Sequence, residues 1–545
     1  MSPSEDLEDV SPQDGKPKSD EARSAFTPPR GYQVPPPPED EHPTSEFEVP
    51  KGLSKKRPYE LGSAFTPPAG VPAVGPLAST NSPWQDRMRT MVRMPLAERP
   101  APPERVLPET AEDSGPAIPR VLDLTLRIGE LLLAGGEGAE DVETAMLGVA
   151  HAYGLARTEP TVTFTLLSIT HQPSLVDDPV TLSRTVRRRG TDYTRLAAVF
   201  RLVADINHDE VSLEEAYGRL AEIRRNRHPY PGWALTLASG LLSGAASVLV
   251  GGNWLVFLAA ALGAMLGDRL AWLCAGRGLP EFYQFVGAAV PPAAIGVLIA
   301  ALDLQDEGKL QAAAVITGGL YALIPGRALV AGVQDGLTGY YITASARLLE
   351  IGYLIVGIVL GVLLVLYVGL QFGVTLDPEA LERINRPLEQ LGAAMLLSMA
   401  FCVLLQQERG TLLLATLNGG VSWLIFGAMA HTGNLSPVMA TVCAAGLVGL
   451  FGQLAARYQY ASALPYITAA IGPLLPGSST YFGLLGIAQG HVNTGAGHLT
   501  TAAAVALAIA IGVNLGSEVA RMMIKSPGTE TSPTGRRAAK RTRGF

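Results

Sequence analysis

The sequence predicts an α-helical integral membrane protein: about ten transmembrane helices in two inverted five-helix repeats, preceded by a small cytoplasmic α+β domain. Three observations predict it. Hydrophobic residues make up 48 % of the 545 positions and charged residues only 17 %, with a mean hydropathy of +0.23; in so long a chain, that balance marks residence in a bilayer. Apolar runs long enough to cross one recur from Trp233 onward. Two of these runs stop at a Pro-Gly pair, Pro325-Gly326 and Pro476-Gly477, about 150 residues apart.

Residues 1–117 are Pro-rich and poor in aliphatic runs ("YQVPPPPEDEHP", "RPAPPERVLPE"). Such a segment cannot bury enough apolar surface to offset its ordering entropy, so a disordered tail is expected. It repeats "SAFTPP" at Ser24–Pro29 and Ser63–Pro68, read either as paired Thr-Pro modification or docking motifs or as drift in a low-complexity tail. No basic stretch followed by an apolar one opens the chain, so no cleavable signal is expected.

Residues 118–230 change character. "PRVLDLTLRIGELLLAG" and "EDVETAMLGVAHAYGL" carry apolar positions at helical spacing. "TVTFTLLSIT" is β-branched and reads as a strand, with "PVTLSRTVRR" as its partner. Two helices follow, the second opened by Ser212 and Glu215 at capping-box spacing. Together these read as a cytoplasmic α+β domain.

The first membrane repeat occupies 231–370, with spans near 233–251, 254–274, 282–302, 310–325 and 343–369. A polar linker fills 371–390. The second repeat occupies 391–520, with spans near 391–406, 411–430, 436–455, 461–475 and 496–516, before a basic tail at 521–545. Each repeat has an odd number of spans, so equivalent halves must enter the membrane with opposite polarity. Arginines collect on the side of the N-terminal domain, among them Arg277, Arg409 and Arg457, which places both termini in the cytoplasm.

The breaks carry the functional reading. Proline removes a backbone donor, and the freed backbone is tolerated at membrane depth only where protein or a water-filled cavity satisfies it. Matched breaks in two halves therefore point to a transport site. Pro325, Gly326, Asp335, Gly336 and Gly339 of the first half are candidate substrate or coupling residues. So are Asn418, Pro476, Gly477, Ser478 and Gln489 of the second. An acid on a membrane segment pairs, titrates or faces a cavity; Asp335 is the candidate coupling group, unless "QDGLTG" is an interfacial turn that leaves it in water. Asp268-Arg269 reads as a snorkelling interfacial pair, and Glu350 stands at ion-pair spacing from Arg347.

Other chemistry is not signalled. No HExxH, GxSxG, CxxC or Walker A motif occurs. "GGEGAED" at 135–141 lacks the preceding strand and third glycine of a dinucleotide loop. Cys274, Cys402 and Cys443 all lie in apolar runs and read as small hydrophobes. No cofactor, metal or catalytic residue is expected, and a net charge of −7 does not suggest nucleic acid as a partner.

"LLLAGGEGAEDVETAMLGVAHAYGL" followed by "YALIPGRALVAGVQDGLTGYYITASARLLE" resembles the threonine/serine exporter family, over roughly 118–520 and in the same order of parts. The resemblance implies a plasma-membrane (inner-membrane) secondary transporter. It would export L-threonine and L-serine by alternating access, driven by the proton motive force, with protons and the bilayer as further partners. A homo-oligomer is left open. The alternative is a membrane-anchored enzyme with its chemistry in 118–230.

Overall fold

The structure is a computed structural model. It describes residues 84–92, 118–173, 177–187, 190, 192–208, 210–225, 229–302, 311–374, 386–458 and 462–523. The SAFTPP repeats, most of the 371–390 linker and the basic tail beyond 523 lie outside these.

The first described helix, α1 (Trp84–Val92), corrects the expectation of a structureless 1–117. Trp84, Met88 and Met91 stand at i, i+4 and i+7, so three large apolar side chains share one face. All three are buried in the core of the N-terminal elements.

That core is built by α2 (Ile118–Ala134), α3 (Ala139–Ala152), α4 (Tyr193–Asn207) and α5 (Leu213–Arg225), with a three-stranded antiparallel sheet. Ser212 Oγ accepts from Glu215 N at 3.3 Å, as the capping spacing predicts. The strand read from "TVTFTLLSIT" is instead a hairpin. β1 (Thr158–Thr163) turns through Phe164 and Thr165 into β2 (Leu166–His171), and β3 (Val180–Thr185) pairs along β2. Phe164 adopts φ 52°, the left-handed region that two-residue hairpin turns demand; a β-branched run gives no warning of this turn. The core does not close on itself. It includes Leu405 and packs against Phe401 and Leu464 of the later helices, and the described residues belong to one compact unit.

Eight helices among the described residues are long and apolar enough to cross a membrane. They are α6 (Gly232–Leu249), α7 (Trp254–Gly276), α8 (Glu281–Ala301), α11 (Tyr341–Gln371), α12 (Pro387–Leu404), α13 (Arg409–Gly427, continued by a π-turn at Ala428–Thr432), α14 (Pro437–Tyr458) and α17 (Val492–Met523). On α7, Trp254, Leu258, Leu262 and Leu266 are exposed at every fourth position, and Trp272 ends the stripe. The two tryptophans are separated by roughly 27 Å of helix rise, close to the hydrocarbon thickness, the separation that suits an indole at each interface of a bilayer.

The other two expected spans are not continuous. α9 (Ala312–Gly319) has eight residues and α15 (Leu464–Ala470) seven, too short to cross alone. Each halts before a Pro-Gly pair and resumes as a second short helix, α10 (Gly326–Leu337) or α16 (Gly477–Ala488). Small residues set the closest helix crossings in both halves. A side chain at Gly361 of α11 would meet the Val286 carbonyl of α8, and one at Gly516 of α17 would meet the Gly446 carbonyl of α14.

Candidate functional site

The two breaks come together. Pro325 has φ −78° and ψ 49°, and Pro476 has φ −80° and ψ 41°, so two stretches far apart in the chain take the same unusual corner. Each precedes a glycine that packs on the other break. A Cβ at Gly326 would sit 3.1 Å from Leu475, and one at Gly477 would sit 3.3 Å from Ile324. Tyr321 Oη donates to the Gly472 carbonyl at 2.7 Å, tying the first break to the second. A cavity of about 30 Å³ lies between them, bounded by Tyr321, Phe401, Gly326 and Gly477 among others. At roughly 10–15 Å³ for one water, it is too small for an amino acid in this conformation. Apart from Tyr321, whose hydroxyl is bonded to the Gly472 carbonyl, its side chains are apolar, so further polar recognition there must come from main-chain groups.

Asp335 lies elsewhere. It stands nine residues beyond Gly326 on α10, roughly 14 Å along the helix. It is buried, only 1 % exposed, which overturns the alternative of an interfacial turn in water. Its Oδ2 is 2.9 Å from Arg347 Nη1, and its Oδ1 accepts from Ala139 N at 3.2 Å. Ala139 opens α3, so the carboxylate meets the positive end of that helix. Arg347 Nη2 also donates to the Glu137 carbonyl at 3.2 Å. Thus the stretch "GEGAED" is a docking loop, with its helix end set against the membrane helices. Nearby, Tyr340 Oη donates to Glu143 Oε2 at 2.5 Å, while Glu143 Oε1 accepts from Val162 N at 2.8 Å. Phe164 N, at the hairpin tip, donates to Thr343 Oγ1 at 3.0 Å. Burial and the adjoining Glu143 carboxylate push the Tyr340 phenol above its ordinary range, so it remains a donor.

The expected residues therefore split. Gly326 and Gly477 line the cavity, Pro325 and Pro476 are the residues just before them in the chain, and Ser478 is half-buried on the first turn of α16. Asp335 belongs to the docking contact, Gly336 faces Ala344 of α11, 3.6 Å from where a Cβ would stand, and Gly339 is an exposed turn glycine with φ 97°. Asn418 is buried on α13, where its Nδ2 donates to the Val448 carbonyl at 3.3 Å. Gln489 is exposed at the C-cap of α16, away from the cavity. Asp268 accepts from Thr236 Oγ1 at 2.5 Å, and Arg269 Nη2 reaches the Gly232 carbonyl at 3.4 Å. Sequence reasoning missed Arg347 as the partner of Asp335, although an arginine in an apolar run was a signal. It also missed Tyr321, Glu143 and Tyr340, whose partners are far away in sequence. Among the described residues no group of three or more His, Cys, Asp or Glu is arranged to hold a metal.

A family profile described as "Putative threonine/serine exporter" matches residues 123–369, and one described as "Threonine/Serine exporter, ThrE" matches 390–519. A protein of Mycobacterium tuberculosis named "Probable threonine/serine exporter" is 34 % identical over 410 residues, 74 % of this chain and 76 % of the relative. A "Threonine/serine exporter" of Corynebacterium glutamicum is 29 % identical over 444 residues, 79 % of this chain and 88 % of the relative. No solved structure matches the chain. With multiple membrane-crossing helices, matched breaks and this sequence identity along most of its length, the chain belongs to the threonine/serine exporter family, a family of transporters rather than enzymes.

Proposed function

We propose that the protein exports L-threonine and L-serine across the plasma membrane by alternating access, in antiport with protons, around a site between Pro325-Gly326 and Pro476-Gly477. The observation that carries this is the pairing of the breaks, with matching backbone angles and a Tyr321–Gly472 bond between them. Broken helices expose unpaired backbone groups and helix ends to a central cavity, the usual equipment of a secondary transporter. The relatives' names supply the substrates.

Ten spans in two inverted repeats account for where the N-terminal elements touch. In the first half they meet the end of the broken segment, at Asp335 of α10. In the second half they meet its start: Tyr193 Oη donates to Thr468 Oγ1 of α15 at 3.3 Å. One body contacting opposite ends of equivalent segments favours halves of opposite polarity. The cavity's small size corresponds to a closed stage of the cycle. Asp335 couples the cycle to protons. As a carboxylate it holds Arg347 and the start of α3 together; a proton on it removes the charge that both of those contacts use.

Labelled threonine counterflow in proteoliposomes, with and without an imposed pH gradient, tests the reading. Counterflow of threonine and serine is expected, as is net flux accelerated by the gradient. Absence of flux for both amino acids in correctly inserted protein would sink it.

A further inference from the structure

A second cleft lies away from the breaks, where α4 meets the turn between α12 and α13 and the start of α15. Its volume is about 220 Å³, against the roughly 10–15 Å³ that one water needs, so it holds a solute of several heavy atoms. Tyr193, Arg201, Gln407, Glu408, Thr411 and Tyr466 line it. Unlike the small cavity at the breaks, it presents opposite charges.

The walls are held in place. Gln407 is fully buried, with its Nε2 donating to the Pro465 carbonyl at 2.8 Å. Thr411 Oγ1 donates to the Glu408 carbonyl at 2.8 Å. Tyr193 N donates to the Leu405 carbonyl at 3.0 Å, and Thr194 N to the Gln406 carbonyl at 3.1 Å, which fixes α4 against the turn. Glu408 is the N-cap residue of α13, yet its side chain makes no capping bond. It turns to Arg201 instead, and the two form an ion pair from opposing elements. Their side chains are 46 % and 37 % exposed. Such a pair contributes little to stability, so a ligand can replace it at small cost.

We propose that this cleft binds a small zwitterionic amino acid, with the α-carboxylate on Arg201 and the α-ammonium on Glu408. A ligand carrying one charge would pair with one wall and strip the other of its partner. A zwitterion serves both and leaves the net charge of the cleft unchanged. The guanidinium fork matches a carboxylate in two parallel bonds. Thr411, Tyr193 and Tyr466 belong to the same lining, which gives the cleft polar wall residues besides its two charges. The site stands on its own geometry; the transport reading enters only in the choice of threonine as first probe.

Equilibrium binding of labelled L-threonine to the full chain in detergent tests this. Serine and glycine should compete, whereas 1-amino-2-propanol (no carboxylate) and lactate (no amine) should not. Arg201→Gln and Glu408→Gln should each remove a binding component or weaken it by about tenfold or more, the scale of one charge-assisted bond. Ala197→Leu fills the cleft without touching a charge and should do the same. Arg201→Lys keeps the ion pair across the seam and should retain partial binding, which separates a lost ligand contact from a lost docking contact. An isotherm unchanged in all three disruptive variants overturns the cleft as a site, even where the protein transports threonine. No zwitterion binding by the wild type overturns it too. Arg201-dependent glycine binding by a protein that moves no threonine would retain the cleft and remove the substrate assignment instead.

Discussion

At the scale of single residues, the Asp335–Arg347 pair has the largest predicted consequence. Both side chains are buried, and each also bonds the main chain of the N-terminal elements, at Ala139 and Glu137. Removing one partner strands the other charge in a dry site, at a cost of about 3–5 kcal/mol. Asp335→Asn should therefore lower the thermal unfolding midpoint in detergent, and adding Arg347→Gln should recover part of the loss. Gradient-driven flux should vanish in Asp335→Asn, while counterflow, which needs no net proton movement, persists in part. Asp335→Glu keeps the titrating group and should be slow rather than dead. Loss of both activities in a well-inserted Asn variant would make Asp335 a substrate contact rather than a coupling group.

At the scale of elements, α1 shows how a short helix within a polar segment earns its place. It contributes Trp84, Met88 and Met91 to the N-terminal core, and Arg89 pairs with Asp141 in the first turn of α3. The same turn carries the Ala139 N–H that Asp335 accepts. Deleting residues 1–83 should leave transport within about twofold, under roughly 1 kcal/mol on a rate scale. Deleting 1–117 exposes the apolar face that α1 covers and removes the partner of Asp141. That truncation should lose flux or insertion, by vesicle assay and size-exclusion profile. Equal behaviour of the two truncations would show α1 to be dispensable.

At the scale of the whole molecule, the N-terminal elements mark one face of the helical array. They touch the turn between α12 and α13, through Thr194 and Gln406. α13 then rises roughly 28 Å over its helical length, so the turn after it lies at the opposite face. If the N-terminal face is cytoplasmic, as the arginine distribution indicates, a cysteine at Thr432 should react with an impermeant thiol reagent added outside intact cells. One at Glu210 should react only after permeabilisation. The reverse pattern would invert the orientation, and with it the direction in which the cleft beside Arg201 opens.

Several of these features are local, and the sequence alone determined them. Apolar runs long enough for a bilayer must be buried in lipid or protein. Pro-Gly must interrupt a helix wherever it falls, and Ser212 three residues before Glu215 caps one. Each follows from the chemistry of a few neighbouring residues, so the breaks, the helical class and the capping contact were legible. The internal match of Pro325 with Pro476 was legible too, because it is a relation between two strings. What the tertiary structure decided was pairing at a distance. Arg347 has Glu350 at helical spacing, but spacing along one helix does not reveal Asp335 of the neighbouring helix, which pairs with Arg347 while both also bond the main chain at Ala139 and Glu137. "TVTFTLLSIT" could not announce a turn at Phe164, whose positive φ is held by a Thr343 hydroxyl 179 residues away. Arg201 and Glu408 are 207 residues apart; periodicity carries no information at such a separation, and only the packing of α4 on the later helices makes them two walls of one cleft.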